Sequence, residues 1–242
     1  MSAATSNDVA IRARKLTKTY GEGEAAVHAL KSVDIDVPAG EFVVLLGASG
    51  SGKTTLLNQI GALEEPTSGI LEAAGRDLGD LDEKGRTTYR RETIGFVFQF
   101  YNLVPTLTAL ENVALIAEVA GADAERAAAD VLDRVGLGDR LDHFPGQMSG
   151  GEQQRVSIAR GLVKDPPLML CDEPTGALDV ETGKHILGLL QGVTRSHQRT
   201  VLLVTHNTTI AKMADRVIRL RDGEIIGNEP NPSPTAPEDL DW

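Results

Sequence analysis

The sequence predicts an α/β fold: a mostly parallel core sheet covered by helices, with an antiparallel β flank near the N-terminus and a helical insertion in the middle of the chain. Three observations carry this. First, Phe42-Val-Val-Leu-Leu46, Ile94-Gly-Phe-Val-Phe98, Leu168-Met-Leu-Cys171 and Val201-Leu-Leu-Val204 are apolar on both faces, the habit of strands in a sheet covered by helices. Second, apolar residues recur at helical spacing between these runs, in Leu56, Leu57, Ile60 and Leu63, in Val156, Ile158, Ala159, Leu162 and Val163, and in Ile186, Leu189, Leu190 and Val193. Strand and helix patterns that alternate along the chain build parallel sheets. Third, Val9 to Leu16 and Val27 to Val37 instead alternate apolar and polar around the turn-rich Gly21-Glu-Gly-Glu24, which predicts an antiparallel flank on the main sheet, with Ile70 to Ala74 joining it.

From Pro105 to Leu162 the pattern is almost wholly helical, and the insertion is placed at about residues 100–163. Thr108-Ala-Leu-Glu111 has capping-box spacing, Asp123 can cap a second helix and Gly136 can end it. One domain is expected over residues 1–227. The remaining residues, 228–242, hold four prolines and four acids with little to bury, so an acidic disordered tail is expected there.

Composition narrows the function classes. The 242 residues carry 24 Lys plus Arg against 35 Asp plus Glu, a net charge of −11, which gives no electrostatic pull toward nucleic acid; no nucleic-acid partner is expected. No apolar stretch approaches the roughly 20 residues that a bilayer span needs, and the polar N-terminus lacks a signal-peptide core, so the chain is expected in the cytosol. Cys171 is the single cysteine. It can close no internal disulfide, fits a reducing compartment, and is read as a small core hydrophobe.

The strongest motif is Gly47-Ala-Ser-Gly-Ser-Gly-Lys-Thr54, lying between an apolar strand and a helical pattern. Glycines there let successive backbone N–H groups curl around a phosphate, and the helix N-terminus adds partial positive charge. This makes the fold class an α/β P-loop NTPase. Gly47, Ser49, Gly50, Ser51 and Gly52, with Lys53, Thr54 and the adjoining Thr55, would cradle the phosphates of a nucleotide, Lys53 offsetting β/γ charge and the Thr54 hydroxyl ligating Mg²⁺. A second carboxylate for Mg²⁺ is supplied by Asp172, at the C-terminal end of the Leu168 to Cys171 run, where such sheets bind ligands. Glu173 follows it. Extended geometry would send its side chain the other way, to polarise an attacking water.

With these motifs in place, the chain resembles the ATP-binding subunits of ABC transporters from about Val9 to Gly227. Met148-Ser-Gly-Gly-Glu152, followed by Gln153-Gln-Arg-Val-Ser-Ile-Ala-Arg160, resembles the family signature Leu-Ser-Gly-Gly-Gln. Its physical sense stands alone too: Ser149 and Glu152 have capping-box spacing, and Gly150 and Gly151 expose N–H groups at a helix start. The resemblance further implies that Tyr20 stacks on adenine, Gln99 touches Mg²⁺ and the attacking water, Asp179 lies at a dimer seam, and His206 contacts the γ-phosphate. By the same resemblance, two copies would sandwich two ATP head to tail, Ser149, Gly150 and Gly151 of one facing the phosphate loop of the other. Glu173 would be the catalytic base, with His206 and Gln99 assisting.

The segment Gly95 to Val113 is similar to the bacterial branch of lipoprotein-releasing, macrolide-exporting and cell-division ATPases. This implies a homodimer, peripheral on the inner face of the cell membrane, driving an integral membrane permease on a separate chain for export or mechanotransmission. The alternative is a regulatory ATPase of the cell-division type that controls a wall hydrolase and moves no solute. A DNA-repair ATPase of the same superfamily would need a long coiled-coil or DNA-binding insertion, for which the chain has no room.

Overall fold

The computed structural model describes residues 9–120, 123–197 and 199–241. The chain opens with two twelve-residue strands, β1 (Val9–Tyr20) and β2 (Val27–Pro38), and then enters the core through β3 (Phe42–Leu46) and α1 (Lys53–Ile60). It returns to the first sheet in β4 (Ser68–Ala73) and β5 (Arg76–Asp77), before α2 (Glu83–Thr93) leads into β6 (Ile94–Val97). Three helices follow, α3 (Ala109–Ala120), α4 (Ala124–Arg134) and α5 (Gly150–Leu162). The chain then alternates through β7 (Leu168–Asp172), α6 (Val180–His197) and β8 (Thr200–Thr205), and closes the sheet with the hairpin β9 (Arg216–Arg221) and β10 (Glu224–Pro230).

The main sheet has the order β10-β9-β3-β8-β7-β6; β9, β3, β8, β7 and β6 are parallel and β10 is an antiparallel edge. The doubly apolar runs are explained by burial on both faces. Phe42, Val44 and Leu46 pack with Met169, Cys171, Val201 and Leu203 under the helices α3 to α6. The intervening Val43 and Leu45 join Leu168, Leu170, Leu202 and Val204 against α1 on the opposite face. Cys171 is fully buried there as a core side chain, and burial pushes its thiol pKa up.

The antiparallel flank differs from expectation in one respect: it forms its own sheet, β2-β1-β4-β5, rather than extending the main one. Its inward residues Ile11, Ala13, Leu16, Val33, Ile35 and Val37 share a core with Leu56, Leu57 and Ile60 of α1. Burying that apolar face requires stacking on α1 instead of edge pairing. The β4 strand joins this sheet as predicted, pairing with β1.

The helical segment is less continuous than its apolar spacing suggests. Thr108 and Glu111 form the expected reciprocal cap, Thr108 N–H donating to Glu111 Oε2 at 2.7 Å and Glu111 N–H to Thr108 Oγ1 at 3.2 Å. Asp123 sits at the N-cap of α4 but its side chain makes no capping bond, and Gly136 follows the helix end with φ +73°. Residues 137–149 then run as turns and a short 3-10 segment before α5. The α3 to α5 layer shares one continuous core with the outer face of the sheet. The helix α2 was not legible, because only Tyr89 and Thr93 of its eleven residues are buried.

The expected disordered tail is a correction. The strand β10 continues to Pro230, Pro237 is buried, and Leu240 is 1% exposed within the core beneath α6. The acids Glu238 and Asp239 stay outward, so the segment buries its few apolar groups in a gap that other elements supply. Trp242 lies outside the described residues.

The α5 helix rides unusually close to the sheet at Gly95 and Gly161. A methyl group at Gly95 would sit 2.3 Å from Met169 Sδ and 2.5 Å from the Gly161 carbonyl oxygen. Gly95→Ala is therefore expected to overpack this joint and cost about 1–3 kcal/mol. Thermal unfolding should show a melting temperature lower by roughly 2–4 °C per kcal/mol; an unchanged transition would mean that the joint yields freely.

Candidate functional site

The strands bring the motifs together by register. Leu46 pairs with Thr205 across β3 and β8, and Asp172 pairs with Val204 across β7 and β8. The phosphate loop, the acidic pair and the histidine therefore leave the sheet on the same edge. They line one open cleft of about 1060 Å³ that includes Gly50, Lys53, Thr54, Gln99, Asp172, Glu173 and His206.

The loop is a cradle that side chains would fill. A Cβ on Gly47 would lie 2.3 Å from the Leu220 carbonyl oxygen, and one on Gly52 would lie 2.4 Å from the Ala29 carbonyl oxygen. Gly50 and Gly52 also have φ of +78° and +102°, a region glycine enters without steric cost. Lys53 is buried and donates to the Ala48 carbonyl at 2.9 Å. Its charge is thereby held against the loop it would share with an anion. Ser51 is buried and its carbonyl accepts the Gly223 N–H at 3.0 Å, so the turn between β9 and β10 braces the loop from behind.

At the acidic end, Thr54 Oγ1 donates to Asp172 Oδ2 at 3.1 Å. Burial raises the Asp172 pKa, with the neighbouring Glu173 adding to the effect and Thr54 and Lys53 opposing it. Removing a carboxylate from water favours its neutral form, which a bound cation reverses. Hydroxyl, carboxylate and the Gln99 amide are hard oxygen donors, the set that suits Mg²⁺. Among the described residues no group of three or more His, Cys, Asp or Glu could by itself hold a metal. A cation here would be shared with phosphate oxygens, the usual habit of Mg²⁺.

Glu173 corrects the extended-geometry reading. Its φ is +44°, a left-handed conformation that costs a residue with a Cβ roughly 1–2 kcal/mol. The turn carries the side chain over to β8. There Oε1 accepts His206 N–H at 3.0 Å and contacts His206 Nδ1 at 2.7 Å, while Oε2 accepts the Thr205 hydroxyl at 3.0 Å. With the carboxylate as the acceptor, the ring proton is assigned to Nδ1, which leaves Nε2 as the nitrogen free of that bond. Thr205 was missed from sequence; it ends an apolar strand, and nothing local marks its hydroxyl as the support of a glutamate 32 residues away.

Of the other expected site residues, Ser49, Gly52 and Thr55 also line the cleft, whereas Tyr20, Gly47, Ser51, Ser149, Gly150, Gly151 and Asp179 lie outside its lining. Tyr20 ends β1, with its hydroxyl bonded to Glu64 and 3.5 Å from Thr55 Oγ1, and with the Lys18 ammonium 5.0 Å from its ring centroid. Through Thr55 it adjoins the cleft. Ser149 caps α5 in a full capping box: Glu152 Oε2 accepts Ser149 N–H at 2.7 Å and its hydroxyl at 2.9 Å. Those two bonds, with Arg140 behind them, hold the Glu152 carboxyl below its ordinary pKa. The carboxylate is thus held in its charged form against its own helix, and the Arg140 guanidinium 3.1 Å away offsets part of that charge.

Gly150 and Gly151 occupy the first turn of α5 in close quarters. A Cβ on Gly151 would meet Thr182 Cγ2 at 2.4 Å, and one on Gly150 would meet the Tyr101 hydroxyl at 2.9 Å. Thr182 is in turn gripped by Asp179, which accepts its N–H at 3.0 Å and its hydroxyl at 2.7 Å. Asp179 is therefore the cap of α6 and sits one residue from the signature glycines.

Comparison with known proteins identifies the family. The family described as ABC transporter matches residues 30–176. The macrolide export ATP-binding/permease protein MacB of Brucella melitensis is 48% identical over 223 residues, covering 90% of this chain and 34% of that protein. This chain thus spans about a third of the length of such exporters. An uncharacterized ABC transporter ATP-binding protein of Mycobacterium tuberculosis is 46% identical over 219 residues, 89% of this chain and 88% of that one. Among solved structures, a dimeric bacterial ABC transporter cassette superposes with a TM-score of 0.84 at 44% identity, covering 91% of this chain and 98% of its own. A dimeric ATP-binding cassette in a post-hydrolysis state with ADP and Pi gives the same TM-score at 43% identity. On its motifs, its fold and these matches, the chain belongs to the ABC transporter family.

Proposed function

We propose that this cassette binds and hydrolyses ATP and that its turnover drives a membrane permease. The observation that carries the reading is the single cleft that gathers the phosphate loop, the Thr54 and Asp172 pair, Gln99, and the Glu173 and His206 couple. Phosphoryl transfer asks a protein for positioning and charge compensation more than for covalent chemistry. Lys53 and the loop N–H groups would hold the phosphates, and Thr54, Asp172 and Gln99 would hold Mg²⁺. The ion, when bound, offsets charge on the β/γ oxygens. Glu173 would orient and deprotonate the attacking water, exchanging the bonds it makes to His206 and Thr205 for that role, while His206 faces the γ-phosphate. Tyr20 would stack on the base.

The same proposal requires two copies. Ser149, Gly150 and Gly151 are outside the cleft of their own chain, and they open α5, a helix start of the kind that favours an anion. In a head-to-tail homodimer they would complete the partner's site, with Asp179 at the seam; that two solved relatives are dimeric supports a two-copy assembly. No helix among the described residues is long and apolar enough to cross a membrane. The permease would therefore be supplied by other residues, on a separate chain in our reading, with this cassette on the cytoplasmic face of the cell membrane. Phe100, 74% exposed, with Leu115 and Val119 of α3, offers an apolar face for it beside Gln99. The match to macrolide exporters favours export, and no feature of the site favours the hydrolase-regulating alternative.

Glu173→Gln is expected to retain nucleotide binding and to lower kcat by about 10²–10⁴-fold, the range that a positioned acid or base supplies. Mg²⁺ and ATP should then shift this variant to a dimer in gel filtration. Turnover close to that of the parent would remove Glu173 from the mechanism.

Ser149→Arg tests the composite site. Equilibrium binding of a fluorescent ATP analogue to the monomer should be unchanged, whereas hydrolysis should be lost, and activity of the parent should rise more steeply than linearly with protein concentration. Strict proportionality through the monomer range would show that one chain suffices.

A further inference from the structure

The histidine loop ends in a single 3-10 turn, Ile210–Met213. So short a turn leaves its last carbonyls without partners of its own. All four consecutive carbonyls from Lys212 to Asp215 are nevertheless taken, three of them by the segment after β10. Asn231 Nδ2 donates to Lys212 O and to Ala214 O, both at 2.9 Å, and Asn231 N–H donates to Asp215 O at 2.7 Å. Thr235 N–H adds a second bond to Lys212 O at 2.9 Å, and Gln191 Nε2 reaches Met213 O at 3.5 Å. The segment is anchored beyond this point by Leu240 in the core and by Lys184, whose ammonium donates to Glu238 O at 3.0 Å.

On its other side the turn is wired to the site. Thr209 N–H donates to Asn207 Oδ1 at 2.8 Å, Asn207 N–H to Thr205 Oγ1 at 3.1 Å, and the Thr205 hydroxyl to Glu173 Oε2 at 3.0 Å. The His206 side chain itself is exposed and its ring is bonded to Glu173 alone among the described residues. Its placement therefore depends on the backbone that follows it.

We propose that residues 231–240 form a strap that positions His206, with Asn231 as the positioning residue: by closing the carbonyl end of the turn it keeps the histidine loop in register with Glu173. The consequence for turnover rests on the catalytic reading of His206 given above. Asn231 is not among the residues that line the cleft, so the larger part of nucleotide binding, which rests on the phosphate loop and Lys53, is independent of it. A displacement of about 1 Å at a reacting group can cost on the order of 10²-fold in rate, and a loosened loop that samples the correct position part of the time should cost less.

The test uses the full chain with Asn231→Ala. Steady-state hydrolysis should show kcat lower by roughly tenfold with KM for ATP within about twofold of the parent. A long-range proton–nitrogen spectrum of the imidazoles, with the His206 signals identified by their loss in His206→Ala, should show the Nδ1-protonated form in the parent. The same signals should report a mixture of tautomers in Asn231→Ala. A folded variant with unchanged His206 signals overturns the proposal. Altered His206 signals with undiminished turnover in both Asn231→Ala and His206→Ala would uphold the strap and refute the catalytic reading of the histidine instead. Should Asn231→Ala fail to fold, Thr235→Pro removes only the second bond to Lys212 O and must shift the same signals in the same direction, or the proposal falls.

Discussion

In-register parallel pairing of β3, β8 and β7 is the constraint on which the rest of the molecule depends. Side chains on such strands alternate faces, so pairing Leu46 with Thr205 and Asp172 with Val204 does two things at once. It buries apolar residues on both faces, and it makes three distant parts of the chain leave the sheet on one edge. A slip of one residue would turn every buried side chain to the other face. The packing that stabilises the sheet is therefore the packing that assembles the cleft.

At that edge, backbone conformation sets which groups meet. Glu173 adopts a left-handed φ and turns from β7 across to Thr205 and His206, a conformation with an energetic cost that its three bonds offset. The phosphate loop is shaped in the same way from outside itself. Gly47 and Gly52 lie against the carbonyls of Leu220 and Ala29, and the Gly223 N–H holds Ser51. Elements at opposite ends of the sequence thus define an eight-residue loop in the middle.

The α5 start is built on a separate contact system. Gly150 lies against Tyr101, whose carbonyl, with that of Asn102, is held by Arg160 further along the same helix. Gly151 lies against Thr182, which Asp179 caps. The segment after Gln99 and the first turn of α6 therefore both bear on the signature glycines. Movement at Gln99 has a short mechanical route to the half-site that a second copy would use, and to the exposed Phe100 beside it.

Much of this was decided locally and could be read from the residues. The phosphate loop declares itself because its chemistry demands glycines, a lysine and a hydroxyl at set spacing; the buried strands declare themselves by being apolar throughout; the Thr108 and Ser149 caps are four-residue patterns. Tertiary structure decided what depended on distant partners. Thr205 acquired its role from a glutamate just past the end of another strand, and Glu173 left extended geometry because Thr205 and His206 at the end of β8 offered it three contacts. The β1 and β2 hairpin became a sheet of its own because α1 presented an apolar surface to stack on. The C-terminal segment looked disordered because it lacks enough apolar surface to fold alone. It is ordered because α6 and three backbone carbonyls after the histidine supply the missing contacts, a complement that no window of sequence contains.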